Sequence, residues 1–216
     1  MNLHRRQLLH FVVAGCAASA WAAIAADWPS RPIRLIAGGA GSVTDIRARW
    51  LAERLGPALG QPVVVENNAA AGGSLAAEQV ARASPDGHTL LLTHQGIAAI
   101  NPHLYAKLGY DSPADFVPVA RFGIGQLALV VPVSSPITSV ADLLARARAT
   151  PGSLNYGSNG NGTPPHLAAE QLKRMAGIEA VHVPYKGGGA LLTALLGSQV
   201  DWAIEGLTPL LPHVKA

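Results

Sequence analysis

The chain has 216 residues, of which 49% are hydrophobic and 13% charged, with a formal net charge of +3. That length buries one large core or two smaller ones. Cys16 is the only cysteine, which excludes a disulfide within the chain.

In chain order, Arg5 and Arg6 precede an apolar, Ala-rich stretch that ends in small residues around Ala23 to Ala26, the layout of an export signal. Leu8 to Ala25 approaches the length of a membrane helix, but its alanines, His10 and the Ala23-Ile24-Ala25 exit favour cleavage, giving a signal peptide over residues 1–25. The string HRRQLLH resembles a twin-arginine signal, with Leu8 where Phe is more usual. Val13-Ala14-Gly15-Cys16 resembles a lipobox, so a lipidated Cys16 is the alternative mature start. Removing Arg5 and Arg6 from the 16 basic residues leaves 14 against 13 acidic, a net charge near +1. With basic residues spread singly and few aromatics, a nucleic-acid surface has no support. Cleavage at Ala25 would also leave no thiol for a nucleophile or a metal.

From Ile33 onward, short apolar runs alternate with longer amphipathic stretches, the grammar of a parallel sheet covered by helices. Strands are expected at Ile33 to Ala37, Val63 to Glu66 and Thr89 to Thr93. Between the first two, TDIRARWLAERLG places Ile46, Trp50, Leu51 and Leu55 on one helical face, with Gly56 or Gly60 to end the helix. A shorter helix should start near Ser74, completing a βαβαβ unit. The bridge from Asn101 to Gln126 carries Pro102, Pro113 and Pro118 and no long period, so the boundary between two lobes is placed near its end, at 26–126 and 127–216. In the second lobe, strands are expected at Leu127 to Val131, Leu154 to Gly157, Ala180 to Val183 and Val200 to Glu205. Helices should follow Ser139, whose spacing to Asp142 makes a capping box, then run from Pro164 to Ala176 before Gly177, and from Ala190 to Leu196.

Ligands of open parallel sheets bind outside the carboxyl ends of the strands. Four loops expected there are rich in Gly and small polar residues: Gly38 to Asp45, Asn67 to Ser74, Thr93 to Gly96, and Gly157 to His166. Such loops bring backbone N–H groups and helix starts to an anion. The sharpest case is Thr163 as N-cap with Pro164 at the first helical position, where Ser158 and Asn161 can converge. Glu205 ends an apolar strand at the cleft edge, and Lys186 is either an anion contact or a solvated side chain. Nucleotide motifs fail: no loop carries Gly-Lys-Ser/Thr, and Thr44 stands where a dinucleotide fingerprint needs Gly or Ala. No G-x-S-x-G or H-E-x-x-H occurs, and His166 with Glu170 offers two candidate metal ligands without a third. His94, His166 and His182 flank these loops as structural or catalytic residues, which keeps a hydrolase or transferase as a second reading.

The strings WPSRPIRLI, TDIRARWLAERLG, GQPVVVEN, AAGG, SPDGHTLLL, AINPHLY, YGSNGNGTPPHLAAE and VHVPYKGGG, from Trp28 onward, resemble the tripartite tricarboxylate transporter substrate-binding proteins, the Bug family. The resemblance implies an α/β, type II periplasmic-binding-protein-like fold of two lobes, each with a mainly parallel sheet flanked by helices. It implies capture of a di- or tricarboxylate or acidic amino acid between the lobes, with no catalysis, cofactor or metal. Its partners would be a small organic acid and membrane transporter subunits, with an extracytoplasmic sensor partner as an alternative and a monomeric receptor when complete. Carried over by position, the ligand contacts would be Ala40, Gly41, Ser42 and Thr44, then Gln95, Gly96 and Ile97, then Ser158, Gly160, Asn161 and Thr163, with Glu205 where the family commonly has Asp. Val43, His94, Gln95, Ile97, Asn68 and Ala69 depart from the family's usual residues, which leaves the choice of acid open. Family members run on for roughly a further hundred residues, so a truncated chain with an incomplete first lobe is the expectation.

Overall fold

The computed structural model describes residues 28–214. The expected export signal, with Arg5, Arg6 and Cys16, lies outside them. Two sheets form. The first contains β1 (Ile33–Ala37), β2 (Val63–Asn67) and β3 (Thr89–Leu91) in the order β2-β1-β3, all parallel. The central strand β1 is buried on both faces, as an interior parallel strand must be, and so reads as an unbroken apolar run apart from Arg34. Arg34 grips Glu66 on β2 through two hydrogen bonds of 2.6 and 2.8 Å.

Helix α1 (Val43–Leu59) crosses from β1 to β2 and closes the core of Leu35, Ala37 and Ala48 with Leu51, Val65 and Leu90. It runs through Gly56 and Pro57 and ends at Gly60, which takes φ 67. Pro57 is tolerated because Glu53, whose carbonyl loses its helical donor there, is on the exposed side. Trp50 departs from the expected buried stripe: it is 48% exposed, lies under the Arg54 guanidinium at 3.9 Å and meets the edge of Phe122 at 5.5 Å. A one-turn 3-10 segment at Ala70–Gly73 leads into α2 (Ser74–Ala81). A π-type turn at Gly96–Ile100 and the short helices α3 (Asn101–Leu104) and α4 (Ser112–Asp115) fill the bridge.

The second sheet has the order β4-β7-β5-β6, from β4 (Leu127–Val130), β5 (Asn155–Ser158), β6 (Val181–Pro184) and β7 (Trp202–Gly206). β5 is parallel to β6 and β7, whereas β4 runs antiparallel to β7. Its helices are α5 (Val140–Ala149), α6 (Pro164–Ala176), α7 (Gly188–Leu196) and α8 (Leu207–Val214). The Ser139 hydroxyl accepts from the Asp142 N–H at 3.1 Å, while the Asp142 carboxylate accepts from Thr138 one residue earlier than the expected box. Tyr156 and Trp202, both fully buried, stack at 5.0 Å and anchor the core with Leu143 and Ala169. Helix α8 packs on α1 and so ties the end of β7 to the first sheet.

The two sheet units meet backbone to backbone. A Cβ on Gly39 would lie 2.8 Å from Gly187 Cα, and one on Gly41 would lie 2.9 Å from Gly189 Cα. The Gly189 N–H donates to the Ala40 carbonyl at 3.2 Å. Gly72, at φ 62, leaves room for nothing larger than hydrogen against the Asn161 carbonyl. Gly72→Ala should therefore cost the folded state about 1–2 kcal/mol from the left-handed backbone, and its overlap with the Asn161 carbonyl should push the two sheet units apart. The check is small-angle scattering: a larger radius of gyration with an unchanged far-UV circular dichroism spectrum is expected.

Candidate functional site

Between the sheets lies a cavity of about 490 Å³, within the usual range for a small-molecule site. Its wall is built from the carboxyl ends of the strands, where doubly wound sheets place ligands. The loop after β1 supplies Ser42, Val43 and Thr44, the end of β3 supplies His94 and Gln95, and the second sheet supplies Asn159, Thr163, Gly187 and Glu205. Arg121 and Phe122 close it from the extended passage between the sheets.

The loop after β1 is held by one side chain. Asp45 is 4% exposed, and its carboxylate accepts from the Gly41 N–H at 2.9 Å, from the Asn67 amide at 2.8 Å and from Arg49 at 3.0 Å. Ser42 caps α1 by accepting from the Asp45 N–H, and its hydroxyl lies 2.9 Å from that of Thr44. Val43 and Thr44, at the first two helical positions, have N–H groups with no acceptor within the helix. Both residues line the cavity, which sets the positive end of the helix dipole at its wall.

His94 adds a neutral donor. Its Nδ1 accepts from the Gly96 N–H at 3.0 Å, which leaves the proton on Nε2, and burial pulls its pKa down to about 4. Arg47, one turn along α1, and Arg121 bring guanidinium groups to the wall. Arg47 was legible only as a helix residue three positions after Thr44, and nothing in the bridge sequence singled out Arg121. Asn159 carried no signal beyond membership of a Gly-rich loop, and Val43 only its departure from the family's usual residue.

Of the residues expected at a ligand, Ser42, Thr44, Gln95, Thr163 and Glu205 line the cavity, and the others do not. Ala40 and Gly41 are used in the contact with Gly189, and Gly96 is pressed against the Gly162 carbonyl. Ile97 packs with Ala77 and Tyr110 in the core. The Asn161 carbonyl covers Gly72 and accepts from the Tyr105 hydroxyl, while the Gly160 carbonyl accepts from Thr163 Oγ1 at 2.7 Å. Thr163 occupies the N-cap position of α6 without capping it, because its hydroxyl is committed to Gly160. Pro164 and Pro165 remove two N–H groups from the same helix start, so α6 presents fewer donors than its sequence signature promised. Lys186 is exposed, and it is its backbone that approaches Gly39.

Ser158 and His182 form a pair at 2.6 Å that resembles a nucleophile with its base. Ser158 is fully buried, however, and the His182 ring is stacked between Tyr156 at 4.8 Å and His166 at 4.3 Å. No acyl group can reach that hydroxyl, and burial also holds His182 down at about 4. The pair braces β5 against β6 and α6. Among the described residues, no group of three or more His, Cys, Asp or Glu could hold a metal ion.

Glu205 is the unusual member of the wall. It is 2% exposed, its Oε1 accepts from the Gly206 N–H at 2.6 Å, and its Oε2 has no partner. Burial raises its pKa to about 7, against the opposing pull of the Gly206 N–H and the Asn159 amide. A folded-state pKa above the unfolded value contributes stability at low pH that is lost as pH rises through the folded value. The stability of the wild type relative to Glu205→Gln should therefore fall by roughly 2–3 kcal/mol between pH 4.5 and 7 and stay level above that. Urea unfolding of both proteins across this range measures it, and a difference independent of pH would contradict the burial of an uncompensated acid.

Comparison with known proteins agrees with this architecture. A protein of R. palustris solved with adipate superposes with a TM-score of 0.84 at 38% identity, covering 87% of this chain and 63% of that one. MatC of Rhodopseudomonas palustris, solved with bound malate, gives 0.82 at 31% identity, over 87% of this chain and 64% of that one. The periplasmic binding protein BugD gives 0.79 at 32% identity, over 87% and 63%. The chain spans about 57–62% of the length of the curated relatives it matches. The family described as the tripartite tricarboxylate transporter family receptor matches residues 47–216. With two α/β lobes closed over a cavity of backbone donors, on the periplasmic-binding-protein fold, the chain belongs to this receptor family, whose members bind solutes and are not enzymes.

Proposed function

We propose that this chain captures a small organic acid with at least two carboxylates in the cavity between its lobes, 26–126 and 127–216, for delivery to the membrane subunits of a tripartite tricarboxylate-type transporter. The observation that carries the reading is the wall itself. The Ser42–Thr44 hydroxyl pair, the N–H groups of Val43 and Thr44, His94, Arg47 and Arg121 offer hydrogens there, and no base lies within hydrogen-bond distance of either hydroxyl. A fixed set of donors suits an anion that is held and released unchanged. The adipate and malate seen in two neighbours of the fold support a dicarboxylate. The Arg5-Arg6 leader and its Ala-rich stretch support a periplasmic location, which is where such a receptor meets its solute.

A thermal-shift series with adipate, malate, succinate, citrate and glutamate tests the assignment. At a hundred times its Kd the right acid should stabilise the protein by about 2.7 kcal/mol. Thr44→Val should weaken that acid's binding several-fold with little change in the melting temperature of the free protein. An unchanged melting curve with every acid would reject a carboxylate as the ligand.

A further inference from the structure

The cavity wall that receives the anion contains an acid with no cation beside it. Glu205 forms no ion pair among the described residues, and its buried Oε2 has no partner at hydrogen-bond geometry, the Asn159 amide being the one side chain that pulls its pKa down. A second acceptor on the same wall, Asn159 Oδ1, is orphaned as well. The next residue, Gly206, touches Val43 so closely that a Cβ there would collide with the Val43 side chain, which sets the end of β7 against the start of α1. An ionised Glu205 would thus add a negative charge to the wall that the ligand anion must share with it. A carboxylate brought to that place would meet one lone-pair-bearing oxygen after another, and like charges at close range in a water-poor site disfavour joint ionisation.

We infer that Glu205 is a neutral carboxylic acid in the loaded site, donating its Oε2 hydrogen to a ligand oxygen, so that capture of a fully ionised dicarboxylate is accompanied by uptake of one proton from solvent. The inference rests on the carboxylate-binding reading of the cavity and specifies the protonation state in which the cavity works. The proton is bound by Glu205 and shared in a hydrogen bond, and no covalent bond of the ligand changes. The surroundings leave Glu205 as the group that titrates. From the elements packed on β7, β4 and α7 carry no ionisable side chain. Tyr156 on β5 is bound to Glu170, and on α6 Glu170 pairs with Lys173 while His166 stacks on His182. Arg174 on α6 and His213 on α8 are exposed. Across the cavity stand Arg47, Arg121 and His94, and His94 is neutral at the pH in question.

Neutrality also separates ligand classes. An acid that donates prefers a ligand end carrying only acceptors, whereas an ionised Glu205 would prefer the ammonium of an amino acid. Burial already places its pKa at about 7 in the free protein, and a bound carboxylate moves it further up. The apparent Kd for adipate should therefore be level below pH 7 and rise towards about tenfold per pH unit above it.

Isothermal titration of adipate at pH 6 and pH 8, in pairs of buffers with different ionisation enthalpies, reads the affinity and the proton count together. The wild type should take up close to one proton per adipate at pH 8 and much less at pH 6. In Glu205→Gln, where an amide donor replaces the acid, the proton uptake and the pH dependence should both vanish; a circular dichroism melt confirms that the variant is folded. Adipate binding without proton uptake in the wild type would overturn the inference and leave the carboxylate reading standing. Proton uptake that persists in Glu205→Gln would overturn it by assigning the proton to another group. Tighter binding of glutamate than of adipate, strengthening from pH 6 to pH 8, would overturn it in favour of an ionised Glu205 holding an ammonium. If neither adipate, malate nor glutamate binds at any pH, the carboxylate reading falls, and this inference with it.

Discussion

The site exists because two glycine-bearing loops can touch without side chains. The turn after β1 and the turn after β6 approach to within the radius of their own backbones at Gly39 and Gly187, and one N–H to carbonyl bond joins Gly189 to Ala40. Any larger residue would hold the sheets apart by the width of a side chain. The cavity wall would then lose its second half, since Thr163, Gly187 and Glu205 come from one lobe and Ser42, Thr44 and His94 from the other. The glycines are thus required for approach first and for backbone freedom second.

Behind that contact stands a second constraint. Asp45 satisfies three donors from three segments, and in doing so it spends its own charge inside the protein. The start of α1 is therefore braced by an anion but not saturated by it, because Val43 and Thr44 keep their N–H groups free. The start of α6 is arranged differently: two prolines fix its direction and delete its donors. One helix end of the pair supplies hydrogen bonds, and the other supplies shape.

Much of the fold was legible in the sequence. The limits of α6, from Pro164 to the αL glycine Gly177, follow from chemistry local to the backbone, as does the capping of α5 by Ser139. The βαβαβ order of the first sheet follows from the alternation of apolar runs. The antiparallel direction of β4 was not legible, because Leu127–Val130 looks the same apolar run whichever way it pairs. Helix α8 was hidden by its prolines, Pro209 and Pro212, which read as breaks. At the site, sequence could identify the loops but not which atoms turn inward. Seven of the twelve expected contacts fall in the lobe-to-lobe contact or the core and not among the residues lining the cavity, since a Gly-rich loop looks alike whether it approaches a ligand or another loop. Arg47 and Arg121 were missed because a basic residue on an exposed helix face or in a bridge reads as solvated.

The glycine contact between the turns has one more consequence. It contains no side chain, so substitutions at wall positions other than Gly39 and Gly187 leave its atoms in place. The lobe contact and the chemistry of the wall are therefore separately mutable: His94, Gln95 and Glu205 can change while the glycine contact keeps its geometry.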